Sequence, residues 1–109
     1  MKRPVLEICS RCRTDEEWDG WSFFLALKKA RKARGLKPVL KLKETKCLGG
    51  CDTPCNAELY GKGRPTLRIT WLHGVADVVP LLEGAVRYVE STGTPTHASL
   101  RLPGRPAPD

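Results

Sequence analysis

The chain reads as an α/β fold of order β-α-β followed by β-β-α, a mixed four-stranded sheet carrying two helices. Three observations predict this. Short alternating or β-branched apolar runs recur at residues 4–8, 38–42, 57–60 and 66–72. A helical pattern lies between Asp15 and Gly35, and a second runs from Asp77 to Val89. The length of 109 residues suits one domain with a modest core.

Pro-Val-Leu-Glu-Ile at 4–8 is the first strand. Asp15, Glu16, Glu17 and Asp19 then supply an acidic helix start, Lys28 to Arg34 a basic end and Gly35 a C-terminal cap, the charge order that complements a helix dipole. Phe23, Ala26, Leu27, Ala30 and Ala33 share one helical face suited to packing on a sheet. Trp18, Trp21 and Leu25 form a second stripe, suited either to covering the edge of the core or to a subunit interface. Pro38 to Leu42 is a second strand, Ala57 to Tyr60 a third, Gly61-Lys-Gly63 a turn and Thr66 to Leu72 a fourth strand. Asp77 can cap the last helix, where Pro80 is tolerated in the first turn and Val78, Leu82, Ala85, Val86 and Val89 give a core stripe. The chain is therefore divided into a domain at 1–92 and an irregular tail at 93–109, rich in proline, glycine and polar residues. This order and length match the thioredoxin-like fold. A helix joining the first two strands makes them parallel, with a right-handed crossover.

Five cysteines fall in two groups, Cys9 and Cys12 in Ile-Cys-Ser-Arg-Cys, and Cys47, Cys51 and Cys55 in Cys-Leu-Gly-Gly-Cys-Asp-Thr-Pro-Cys. An odd number leaves one thiol outside any pure disulfide framework. Each group follows one of the first two strands, so both emerge at the same end of the sheet, where α/β folds place their sites. Three chemistries fit the residues. Four thiolates can hold a [2Fe-2S] cluster, with Gly49 and Gly50 letting backbone amides approach its sulfurs and Leu48 covering it. The same thiolates can hold a structural zinc ion. Cys9-Ser-Arg-Cys12 can also act as a dithiol redox centre, since a Cys-x-x-Cys after the first strand is a thioredoxin arrangement.

Cys-Leu-Gly-Gly-Cys-Asp-Thr-Pro-Cys resembles the Cys-Leu-Gly-x-Cys segment of thioredoxin-like [2Fe-2S] ferredoxins and of the related cluster subunit of NADH:quinone oxidoreductase. The whole chain resembles more closely a family of small, predicted metal-binding proteins placed in that group, over roughly residues 5 to 92, with the second cysteine segment the specific part. The resemblance implies Cys9, Cys12, Cys47 and Cys51 as ligands of a [2Fe-2S] cluster, one-electron transfer rather than enzymatic turnover, and a homodimer, for which Trp18 and Trp21 are candidate contact residues; a cluster-sensing or cluster-carrying role stays open beside electron transfer. The better-known ferredoxins space their first two cysteines more widely, and Cys55 is an extra thiol, a candidate alternate ligand in place of Cys12 or Cys51.

The net charge is +7, and nine basic residues against Glu44 alone lie between Lys28 and Lys46, leaving the remainder near neutral. Lys28, Lys29, Arg31, Lys32 and Arg34 form a candidate docking patch for an acidic redox partner, the other reading being a solvated helix end. The segment has no interleaved aromatics for base stacking, which disfavours nucleic acid, although a zinc-stabilised nucleic-acid-binding module stays open as an alternative. No run of 18 or more apolar residues is present, and the basic N-terminus lacks the apolar stretch of a signal peptide. A cytoplasmic location, where thiols stay reduced, is expected. His73 and His97 are far apart and read as surface or turn residues, and no Ser/His/Asp order or phosphate-binding glycine loop is present.

Overall fold

The structure, a computed structural model, describes residues 3–9, 20–45, 56–72, 75–91 and 93–106. Strand β1 (Val5–Cys9) alternates as far as Ile8, with Leu6 and Ile8 fully buried, and ends on a buried Cys9. Helix α1 (Gly20–Ala33) and strand β2 (Lys41–Thr45) follow, then β3 (Ala57–Tyr60), β4 (Leu67–Thr70), helix α2 (Val78–Glu90) and a two-residue β5 (Arg105–Pro106). The sheet order is β2-β1-β3-β4-β5, with β1 parallel to β2 and every other pair antiparallel. The two helices touch each other, and both add side chains to one core with Leu6, Ile8, Leu59 and Ile69. This is the thioredoxin-like α/β order that the sequence predicts, enlarged by a fifth strand.

The end of α1 shows how local sequence sets the geometry. Gly35 takes φ +67°, its N–H donates to the Lys32 carbonyl, and the Leu36 N–H donates to that of Arg31. These two bonds form a Schellman cap, which satisfies carbonyls that a helix end otherwise leaves open. The acidic residues expected at the start of α1 lie outside the described residues. On the core face Phe23 and Leu27 are fully buried and Ala26 and Ala30 partly so, whereas Ala33 is exposed and Phe24 joins the core in its stead.

Strand β2 begins three residues later than its expected start at Pro38. Pro38 and Val39 belong to a turn closed by Val39 and Leu40 N–H bonds to the Leu36 carbonyl. The strand lies at the sheet edge with Lys41, Lys43 and Glu44 exposed, so it carries little of the alternation that marks a half-buried strand. Strand β4 is trimmed to Leu67–Thr70 because Trp71 adopts φ +61°, a left-handed conformation that ends extended pairing.

Asp77 occupies the N-cap of α2, as expected, but its side chain makes no capping bond; a 3-10 turn at Val75–Asp77 leads into the helix. The buried face is Val78, Leu81, Leu82, Gly84, Ala85 and Tyr88, turned slightly from the expected stripe, with Val86 and Val89 only partly covered. Two neighbours explain the turn. Arg64, from the β3–β4 connection, donates to the Tyr88 (2.7 Å), Val89 (2.9 Å) and Ser91 (3.3 Å) carbonyls, and Tyr88 Oη donates to the Pro65 carbonyl at 2.6 Å. A cation thus caps the negative end of α2.

The second neighbour is the segment after residue 92, where a boundary is drawn from composition. Leu100 and Leu102 enter the core, and Arg87 Nε donates to the Leu100 carbonyl at 2.6 Å. A Cβ added to Gly84 would lie 2.3 Å from Leu102 Cδ2, so glycine in mid-helix lets this segment lie close. Gly104, at φ +70°, turns the chain into β5, where a Cβ would meet the Thr70 carbonyl oxygen at 2.3 Å. Arg105 then sits over the Trp71 ring, 5.3 Å from its centroid. The irregular reading of 93–109 thus yields to ordered packing across the described part.

Two substitutions test this packing. Arg64→Ala leaves three carbonyls at the end of α2 without their cationic donor and is expected to cost about 2 kcal/mol, read as a lower urea midpoint; an unchanged midpoint would refute the cap. Gly84→Val is expected to destabilise by about 2 kcal/mol by displacing Leu102, although valine removes the helix-interior glycine. A stabilised variant would show that the segment does not pack there.

Candidate metal centre

Strand β1 delivers Cys9 to its C-terminal end, where the residue is 1% exposed. Its N–H donates to the Asn56 carbonyl at 3.0 Å on one side, and its register partner across the parallel pair on the other side is Thr45. Thr45 is the last residue of β2, and Asn56 immediately precedes β3. The chain between them, residues 46–55, carries Cys47, Cys51 and Cys55. That segment therefore leaves the described structure beside Cys9 and returns beside Cys9, from the two strands that flank β1. The arrangement follows from placing β1 between a parallel and an antiparallel neighbour, so that β2 ends and β3 begins at the level of Cys9.

Of the predicted site residues, Cys12, Cys47, Leu48, Gly49, Gly50, Cys51 and Cys55 lie outside the described residues, as do Trp18 and His73. Among the described residues no three His, Cys, Asp or Glu side chains gather as metal ligands. Cys9 alone can be judged for fit: its thiol stands at the strand end expected for a ligand, in a largely apolar setting suited to a soft thiolate–metal bond. The same burial argues against Cys9 as an attacking thiol, a role that needs access to another protein's disulfide.

The basic set divides. Lys28, Lys29, Lys32 and Arg34 are exposed, as a docking patch requires. Arg31 leaves that set: it is 9% exposed, and its Nη1 donates to the Leu40 carbonyl at 2.9 Å, tying the end of α1 to the entry of β2. The four-residue step from Leu27 places Arg31 on the buried face, where its aliphatic stem packs while the head reaches a carbonyl. His97 is structural, its Nε2 lying 3.1 Å from the Pro103 carbonyl oxygen.

A polar feature invisible to sequence reasoning lies on the sheet face opposite the core. Register places Lys43, Glu7, Glu58 and Arg68 in one row across four strands. Tyr60 Oη donates to Glu7 Oε1 at 2.8 Å. Burial, then this hydrogen bond, then the charges of Glu7 and Glu58 push the Tyr60 pKa up to about 12. Burial also raises Tyr88, against the opposing pull of Arg64. Only the cross-strand pairing brings Glu7 and Tyr60 together, because they are 53 residues apart.

Residues 6–101 match a family described as "Protein of unknown function (DUF1636)". No curated protein matches the chain. Among solved structures, the chain is similar to the wild-type thioredoxin-like [2Fe-2S] ferredoxin from Aquifex aeolicus, with a TM-score of 0.57 and 11% identity, over 83% of this chain and 88% of that one. At that identity the likeness establishes the thioredoxin-like fold. No described helix is long and apolar enough to cross a membrane.

Raised phenol pKa values mean that the folded chain holds these protons more tightly than the unfolded chain. Their contribution to stability is complete below pH 10 and, for Tyr60, is lost as pH rises through about 12. Absorbance near 295 nm should therefore show less tyrosinate at pH 10 in the folded protein than in urea, with a later step that Tyr60→Phe removes. Half-ionisation of both tyrosines at pH 10 in the folded state would refute the Glu7 contact.

Proposed function

The chain belongs to the DUF1636 family, and from that premise and the position of Cys9 we propose that it is a small one-electron carrier holding a [2Fe-2S] cluster on Cys9, Cys12, Cys47 and Cys51. The observation that carries this reading is the placement of Cys9. A buried cysteine ends the strand whose two neighbours receive and return the segment bearing the second cysteine group. The likeness in fold to a [2Fe-2S] ferredoxin supports the choice of cluster over zinc.

When bound, the cluster supplies reversible one-electron chemistry at two irons held by thiolates. The chain's own contributions are to hold and to shield. The Cys9 backbone is fixed in the ladder by its bond to Asn56, so its side chain starts from a set position. Burial of Cys9 lowers the local dielectric, one means by which a protein sets a cluster's potential. Gly49 and Gly50 would let amide N–H groups approach the cluster sulfurs, and Leu48 would cover them. Cys55 is the alternate ligand. A bound cluster would exchange its electron with a redox partner protein, and the exposed Lys28, Lys29, Lys32 and Arg34 favour an acidic one.

Protein purified without oxygen should be red-brown, with visible thiolate-to-iron charge-transfer bands and about two irons per chain, the complement of one [2Fe-2S] cluster. Cys47→Ser is expected to abolish the colour and Cys55→Ser to retain it. A colourless protein with one zinc per chain would overturn the cluster; loss of colour in both variants would overturn the ligand set.

A further inference from the structure

The solvent side of α1 presents a single stripe, Trp21, Leu25, Lys28, Lys29 and Lys32, at helical steps of three and four. Trp21 is 48% exposed and Leu25 45%, which makes them the two most exposed large apolar side chains described. The Trp21 ring is held in place by stacking on Phe24, with centroids 5.8 Å apart, and Phe24 is itself buried in the core. A rigid, half-exposed tryptophan loses little conformational freedom on binding and is the residue type that most often dominates a protein contact.

The direction of the stripe connects it to the cysteines. The C-terminal end of α1 is tied to the start of β2 by the Arg31–Leu40 bond, and the Lys41 N–H donates to the Pro4 carbonyl beside the start of β1. The helix therefore runs back against β1 and β2, and its first turn lies toward the end of the sheet where Cys9 and Thr45 sit. Trp21 and Leu25 occupy that end, whereas the lysines extend away over about 16 Å from Trp21 to Lys32. Apolar contact at the metal end excludes water where an electron must cross. Lysines to one side steer and orient an anionic protein without being buried themselves.

We propose that this stripe is the docking surface for an acidic one-electron carrier protein, with Trp21 and Leu25 seated against an apolar patch next to the partner's redox centre and Lys28, Lys29 and Lys32 facing its carboxylates. The proposal rests on the electron-carrier reading above and adds the apolar Trp21–Leu25 contact and its place at the cysteine end of the docking surface. Charge complementarity favours a protein over a lipid surface: among the described residues the lysines lie at one end of the stripe and do not ring the apolar pair, as seating on a bilayer would require.

The test uses purified flavodoxin, an acidic one-electron flavoprotein, as the probe. Binding of the full-length protein to it is read by calorimetry at 20 and 500 mM salt. Parallel titrations use vesicles of phosphatidylcholine and phosphatidylglycerol and a single-stranded oligonucleotide, and sedimentation reports the oligomeric state. Binding is expected at low salt and to weaken as salt rises. The double variant Lys28→Glu/Lys29→Glu should weaken binding about tenfold at 20 mM and converge on the parent at 500 mM. Trp21→Ala should weaken it at least about tenfold at either salt, and Lys62→Glu, exposed on the β3–β4 turn, should leave it unchanged. Circular dichroism checks that each variant is folded; the lysine pair decides the matter if Trp21→Ala is not.

No binding to flavodoxin, equal binding by the lysine variant, binding to vesicles or oligonucleotide alone, or a dimer broken by Trp21→Ala would each overturn the proposal. The colour of the same preparation, purified without oxygen, separates the two readings. A protein that is colourless as purified yet binds through the stripe would refute the cluster and keep the surface, and a red-brown protein that does not bind would do the reverse.

Discussion

Strand β1 sits between a parallel partner and an antiparallel one, and most other features depend on that pairing. Its register with β2 aligns Cys9 with Thr45, and its ladder with β3 brings Asn56 to the Cys9 N–H. The parallel pair requires a crossover, which α1 provides, and the crossover in turn forces α1 to run back along the sheet. Beside the central strand, β3 and β4 form a short antiparallel hairpin, whose turn carries Arg64 to the end of α2. The central strand thus sets where the cysteine segments begin and end and which way the exposed face of α1 points. Leu6 and Ile8, both fully buried, hold that strand against the helices.

The sequence made much of this legible, for physical reasons that differ by element. Ala57–Tyr60 matches its expected bounds because β3 lies inside the sheet with one face covered, and such strands alternate visibly. The edge strand β2 has little buried face to enforce a pattern, so the apolar Pro38–Leu42 run drew its expected start three residues early. On α2 the expected stripe misses Gly84 and Tyr88, because the segments that meet them, at Leu102 and Pro65, are distant in sequence. Periodicity reports a buried face but says nothing about which distant segment covers it.

The site divides in the same manner. That both cysteine groups come after neighbouring parallel strands was readable from element order alone, but Cys9 is the last paired residue of β1, where a loop position after Ile8 was expected. The inward turn of Arg31 was not readable, since a basic residue near a helix end is ordinarily solvated. Only the Leu40 carbonyl, supplied by the turn before β2, makes burial tolerable there, and Arg31 Nε is nonetheless buried without a hydrogen-bond partner. The Tyr60–Glu7 bond was equally hidden, because it depends on cross-strand register. Charge runs in sequence mix structural cations with surface ones, and the fold separates Arg31 and Arg64 from Lys28, Lys29 and Lys32.

The short strand β5 has a consequence beyond its two residues. An unpaired strand at the margin of a sheet is a template onto which another chain can add, the start of intermolecular aggregation. By laying Arg105 and Pro106 along β4, the chain occupies that margin with its own backbone, and Pro106 has no amide hydrogen to offer a newcomer. The opposite margin, β2, is guarded by charge through Lys41 and Lys43. The chain thus covers the Ile69–Thr70 part of one margin with its own backbone and lines the other with charge, so a segment whose composition reads as a loose tail shortens the open edge of the sheet.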